Sequence, residues 1–153
     1  ILINGQIWDN HNAIFKNLRI CCEKTDQPSA ALVKDLKQRG LLDETLIVWA
    51  GEFGRTADNS MVFFRSHPGR DHNKEAMIVW LAGGGIKGGV AHGESDEWGF
   101  RPADRNNPTS CHDIHATILN QLGIDHEQLT LLHDGIDRRL TDVHGRVIQE
   151  ILA

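Results

Sequence analysis

Thr45-Leu46-Ile47-Val48-Trp49-Ala50-Gly51-Glu52-Phe53-Gly54-Arg55-Thr56 is the stretch on which the fold turns. Thr45 to Ala50 is a β-branched and aromatic-rich run without apolar/polar alternation, the pattern of a strand buried on both faces of a parallel sheet. A carboxylate, two glycines and a guanidinium follow at once. In an open parallel sheet the ligand crevice lies outside the carboxyl ends of the strands, so a polar cluster in that place is a candidate site. Going backward, Asp26 reads as an N-cap with Pro28 in the first turn, and Ala31, Leu32, Leu36 and the Arg39-Gly40 stop predict a helix of about a dozen residues. A first helical stretch is expected over Ala13 to Glu23. Before it, Ile1 to Trp8 is strand-like and breaks at Asp9-Asn10-His11-Asn12. Strand, helix, strand implies a right-handed parallel unit. Going forward, a long loop from Asp58 to Asn73 leads to a third strand over Ala76 to Ala82, closed by the glycine turn Gly83-Gly84-Gly85, where positive φ is cheap. A helix starts near His112, with His112 or Asp113 as its cap and His115 packed on the sheet, and ends at Gly123. Arg139 to Ala153 reads as a short extended piece and a final helix. The expected fold class is α/β, a mainly parallel sheet sandwiched by helices in a single domain over residues 1–153.

Composition narrows the function. The 153 residues are 40% hydrophobic and 24% charged, as in one ordinary globular domain. Sixteen basic residues against twenty-one acidic ones leave a net charge of -5, which offers no basic surface for a phosphate backbone, so nucleic acid is not an expected partner. The longest apolar runs are strand-sized, well short of the roughly 20 residues of a membrane span, and no transmembrane segment is expected. Cys21, Cys22 and Cys111 show neither a disulfide framework nor a Cys-x-x-Cys spacing and read as small buried hydrophobes. The chain opens on Ile1 without an initiator Met or signal-like segment, and a fragment of a longer protein is expected.

Nine histidines beside Asp- and Gly-rich turns suit a metal site. Asp9 and His11 follow the first strand, Glu52 and Arg55 the second, and Asp71 and His72 precede the third. Alternation in an extended segment puts Asp9 and His11 on one side, within reach of one ion. Each residue has a duller alternative: Asp9 a helix cap, His11 a surface turn residue, His72 a structural hydrogen bonder. Glu52, beside a buried strand, has to be paired or ligated, and Arg55 is either its ion-pair partner or an anion clamp. Asp96-Glu97, Asp142 and His144 read as solvated loop residues. The triglycine turn lacks the Gly-Lys-Ser/Thr ending of a phosphate loop, and no Gly-x-Ser-x-Gly elbow is present.

Trp8-Asp9-Asn10-His11, the Leu41 to Thr56 block, Gly69-Arg70-Asp71-His72, the Trp80 to Gly89 block and His112-Asp113-Ile114-His115-Ala116-Thr117-Ile118-Leu119 together resemble, in order and over nearly the whole chain, the carboxy-terminal part of the bacterial domain-of-unknown-function family fifteen-oh-one, which is placed with the sulfatases and alkaline phosphatases. The resemblance implies an alkaline-phosphatase-like fold and a metal-dependent hydrolase of sulfate or phosphate esters, periplasmic or secreted. Its substrate would be a small anionic ester or a sulfated glycan, and its cofactor a divalent metal such as zinc or calcium. Asp9, His11, Glu52, Asp71 and His72 are the candidate ligands, with Arg55 as the candidate catalytic anion contact. Where that superfamily ends the strand in an Asp-His or Asp-Asn pair, this chain has Glu52-Phe53, and Phe53 cannot ligate, which counts against a second metal. The superfamily nucleophile belongs to an amino-terminal half, which would be a partner from the same protein. Two rivals stand beside this expectation. One is a secreted non-catalytic binding or structural module that kept the fold. The other is a mononuclear iron oxygenase, which also uses two His and one carboxylate.

Overall fold

The structure, a computed structural model, describes residues 8–58 and 68–153, so the expected strand over Ile1 to Trp8 lies, Trp8 apart, outside the described residues, as does most of the long loop before His72. One helix, α1 (Ile14–Gln38), replaces the two expected, and Asp26 and Pro28 sit inside it. Pro28 supplies no N–H for the carbonyl of Lys24, yet the helix runs on. Hydroxyls on either side bond back to carbonyls four residues earlier, Thr25 Oγ1 to Cys21 (2.9 Å) and Ser29 Oγ to Thr25 (2.6 Å). The stop at Gly40 stands as read. Its φ of +68° admits the Schellman pair in which Gly40 N donates to Lys37 and Leu41 N to Leu36.

The parallel sheet is overturned. Strand β1 (Ile47–Ala50) pairs antiparallel with Val79–Ala82, with Trp49 opposite Trp80, and nested beyond that pair Gly54–Arg55 runs antiparallel to His72–Asn73. In chain order these are β1, β2 (Gly54–Arg55), β3 (His72–Asn73) and β4 (Val79–Ala82). A parallel neighbour needs a crossover of a dozen or more residues, usually a helix, to carry the chain back. No helix lies between β1 and β4 among the described residues; the chain doubles back through β2 and β3 instead. Residues 51–53 on one arm face 74–78 on the other, so the ladder is interrupted between the two pairs. Nor is β1 buried on both faces, since Trp49 is 43% exposed and Trp80 45%. An apolar run of four to six residues carries no signature of which face is covered.

The described core lies around α2 (Cys111–Gln121), where Ala116 and Leu119 are buried together with Ile148 and Ile151. Its cap is Ser110 rather than His112 or Asp113. The Ser110 hydroxyl accepts from Asp113 N while the Asp113 carboxylate accepts from Ser110 N, a complete capping box. His115 is exposed rather than packed on a sheet. Gln121 Nε2 donates to the Gly84 carbonyl (2.6 Å), tying α2 to the glycine turn, in which Gly83, Gly84 and Gly85 all have positive φ. The helix expected within Arg139 to Ala153 is only a single 3-10 turn over Gln149–Ile151, and ahead of it lies a hairpin, β5 (Thr130–His133) and β6 (Ile136–Arg139). Asp134 and Gly135 form the hairpin turn with φ of 52° and 75°. Cys21 is buried, whereas Cys22 and Cys111 are exposed. Among the described residues no helix is long and apolar enough to cross a membrane.

Candidate metal centre

The antiparallel arm, rather than a crevice at parallel strand ends, assembles the polar cluster. Arg55 and His72 are directly opposed in the β2–β3 pair, and Thr56 N donates to the Asp71 carbonyl (2.9 Å), which prolongs that ladder by one step. The segment just before β3 docks backbone to backbone on the 8–14 turn: Arg70 N donates to Asn10 O (3.0 Å) and Ile14 N to Pro68 O (2.9 Å). Gly69 makes that approach possible, because a Cβ there would collide with the backbone carbonyl of His11. Two backbone contacts thus bring residues some sixty positions apart in the chain to one place.

At that place the Oδ1 atom of Asp9 receives three nitrogens: Arg55 Nη1 at 2.7 Å, His72 Nε2 at 3.0 Å and His11 Nε2 at 3.0 Å. The two imidazole Nε2 atoms lie 3.2 Å apart. The hydrogen bond from His72, and after it that from Arg55, hold the Asp9 carboxyl at about 2, so the group is a carboxylate at any ordinary pH. Asp9 does not cap α1. The N-cap is Ala13, in a left-handed conformation and without a side-chain bond. The Phe53 ring packs on that of His72 at 4.3 Å between centroids with the planes tilted by 44°, and the Arg55 guanidinium stands 5.7 Å from the centre of the Phe53 ring.

The donor set fits a metal ion. Asp9, His11 and His72 each offer one ligand atom, all within 4.8 Å of one another. Bonds of about 2.0–2.2 Å in a tetrahedron separate ligand atoms by roughly 3.3–3.6 Å, a few tenths of an ångström more than the 3.0, 3.0 and 3.2 Å found here. Three nitrogens crowd one carboxylate oxygen, whereas an ion would take both imidazole lone pairs at the same point and leave only Arg55 as a donor.

The remaining candidates fall outside the triad. Glu52 is 67% exposed at its side chain, with Oε1 3.9 Å from Arg55 Nη2, so it stands at the rim as a loose partner of the guanidinium. Because water reaches it, no burial penalty forces it to be ligated. Asp71 accepts from His72 N through Oδ1 (2.7 Å) and lies 3.6 Å from His11 Nδ1, on the far side of the imidazole from the cluster. Elsewhere Asp96 is not a free loop carboxylate: Oδ1 accepts from Phe100 N (2.9 Å), and its carboxyl is held below the usual range chiefly by that bond. Sequence reasoning passed over Gly69 and the packing role of Phe53. Nothing local marks a close backbone approach, and the aromatic ring could be seen in the sequence only as a non-ligand.

A family model matches residues 1–152, that of Protein of unknown function (DUF1501). The chain belongs to that family. No curated protein and no solved structure matches it. Within this DUF1501 member, Asp9, His11, Phe53, Arg55, Gly69 and His72 all fall inside the matched region.

Proposed function

We propose that this DUF1501 protein is a metal-dependent hydrolase of sulfate or phosphate esters, with Asp9, His11 and His72 holding one divalent ion and Arg55 contacting the substrate anion. The observation that carries the assignment is the meeting of three ligand atoms at 3.0–3.2 Å with a guanidinium 2.7 Å from one of them. Two imidazoles and one carboxylate favour zinc or a similar borderline ion over calcium, which takes oxygen ligands. When bound, such an ion polarises an ester oxygen and offsets charge on the leaving group. Arg55 binds and orients: its planar fork matches two oxygens of a sulfate or phosphate group, and Nη2, only 3.9 Å from Glu52, has capacity for a stronger acceptor. Phe53 packs against both His72 and Arg55. Support comes from the donor set and from the likeness of these positions to those of sulfatases and alkaline phosphatases, and not from the sheet, which is antiparallel.

The test is the zinc-loaded full-length protein, with the amino-terminal half expected to carry the nucleophile present, assayed on aryl sulfate and aryl phosphate esters. Turnover of either, lost in His72→Ala with circular dichroism unchanged, is the expected result. Protein that takes up zinc but is inert on both esters overturns the hydrolase and leaves the non-catalytic binding module in its place.

A further inference from the structure

Asp71 contacts both histidines of the cluster, His72 at its backbone N–H and His11 at its ring, without joining the triad. Its Oδ1 accepts from the backbone N–H of His72 (2.7 Å) and faces Nδ1 of His11 across 3.6 Å, an electrostatic contact that stops short of a hydrogen bond. Its own backbone is fixed on both sides. Thr56 N donates to Asp71 O (2.9 Å) and Asp71 N to Thr56 Oγ1 (3.0 Å), so the carboxylate is anchored to the strand that carries Arg55.

The imidazole of His11 presents Nε2 to Asp9 Oδ1 and His72 Nε2, and to ligate there Nε2 must keep its lone pair. The ring proton of a neutral imidazole then resides on Nδ1, the atom that faces Asp71. A carboxylate on the outer nitrogen of a ligating histidine favours that tautomer, fixes the ring plane and raises the basicity of the inner nitrogen.

We infer that Asp71 is a positioning residue for the metal centre, one oxygen of which sets the tautomer of His11 and the backbone orientation of His72 together. The inference rests on the metal-binding reading of Asp9, His11 and His72, and it gives Asp71 a different role from that of a ligand.

The experiment uses cobalt(II) as the probe, with affinity from calorimetry, the ligand field from visible absorption, and the protonated ring nitrogen from 15N-histidine NMR of the zinc-loaded protein, His11 being assigned by its loss in His11→Gln. Wild-type protein is expected to bind one cobalt(II), with the His11 proton on Nδ1. Asp71→Asn keeps an acceptor for His72 N but loses the charge, and Asp71→Ala loses both. Affinity is expected to fall by roughly 10-fold and 100-fold in turn, the range for loss of such outer partners, with the ligand field retained and the Nδ1–H signal of His11 broadened by exchange with water. A purely structural role would lower the unfolding temperature and leave that signal sharp. If Asp71→Ala does not fold, Asp71→Asn decides. Unchanged affinity and an unchanged Nδ1–H signal in Asp71→Asn overturn the inference while the metal site stands. So does complete loss of binding to the level of His72→Ala, which would make Asp71 a ligand. Wild-type protein that binds no cobalt(II) overturns both.

Discussion

Replacing Thr117 by Val removes one oxygen from a fully buried polar contact. Thr117 is 1% exposed, and its Oγ1 donates to the Asp113 carbonyl (2.7 Å) while accepting from Ile148 N (2.9 Å). One turn earlier Asp113 Oδ1 accepts from Arg146 N (2.8 Å). The match is geometric. Four residues along a helix advance about 6 Å, and two residues along an extended strand about 6.6 Å, so side chains at 113 and 117 meet alternate N–H groups of the segment at 146 and 148. Valine has nearly the shape and the helix propensity of threonine, and the back-bond to Asp113 contributes little by itself. The loss therefore falls on the N–H of Ile148, a residue only 4% exposed, which would be left without its acceptor. An unsatisfied buried donor costs about 1–3 kcal/mol, and each kcal/mol shifts Tm by roughly 2–4 °C in a chain of this size. Urea unfolding followed by circular dichroism should show that loss with the m-value unchanged. A Thr117→Val protein within about 0.5 kcal/mol of wild type would refute the argument that this hydroxyl holds the 146–148 segment.

Further outcomes follow from the same contacts. Burial pushes the Asp113 carboxyl upward, but the N–H bonds from Ser110 and Arg146 outweigh it and leave the group below its ordinary value. A depressed carboxyl stabilises the fold above its unfolded pKa and loses that contribution as pH falls through the lower folded value, so stability should drop below about pH 4; unfolding of Asp113→Asn across that range should be flatter than that of wild type. Gly69→Ala should destabilise by about 1–3 kcal/mol through overpacking on His11 and, measured by calorimetry, weaken cobalt(II) binding, since the clash lies at the backbone of a proposed ligand. Arg55→Gln, assayed at saturating metal, should lose roughly 10- to 100-fold in kcat/KM for an aryl ester, corresponding to one charge-assisted hydrogen bond of about 1.5–3 kcal/mol; an unchanged kcat/KM would remove Arg55 from the site.

Punctuation was legible in the sequence wherever it depends on a single residue's φ. Gly40 and Gly123 end their helices with φ of 68° and 73°, and the triglycine turn is left-handed throughout. Asp134-Gly135, at φ of 52° and 75°, belongs to the same class, and its dipeptide signal for a hairpin turn was available in the sequence but not read. The capping box was equally local, with Ser110 three residues ahead of Asp113, but His112 drew attention to the wrong position. Pro28 misled in the opposite way. A proline one turn into a plausible helix looks like a start, and only the continuous path of α1 shows that the hydroxyls of Thr25 and Ser29 bracket it inside one helix.

What residues 9–72 contribute chemically was determined by the sequence alone: a carboxylate and an imidazole two positions apart, a guanidinium after an apolar strand, and an Asp-His pair at the entry to the next. Which of them meet was decided by tertiary structure. The direction of β4 relative to β1, the two-residue pairing of Arg55 with His72, and the docking of Gly69 on His11 are contacts between segments distant in the chain, and no local periodicity encodes them. Those contacts converge Asp9, His11 and His72 on one point, turn Asp71 to the outer face of His11, and leave Glu52 in solvent. The physical reason is that residue type sets what a side chain can bind, whereas backbone pairing across the fold sets where its tip is carried.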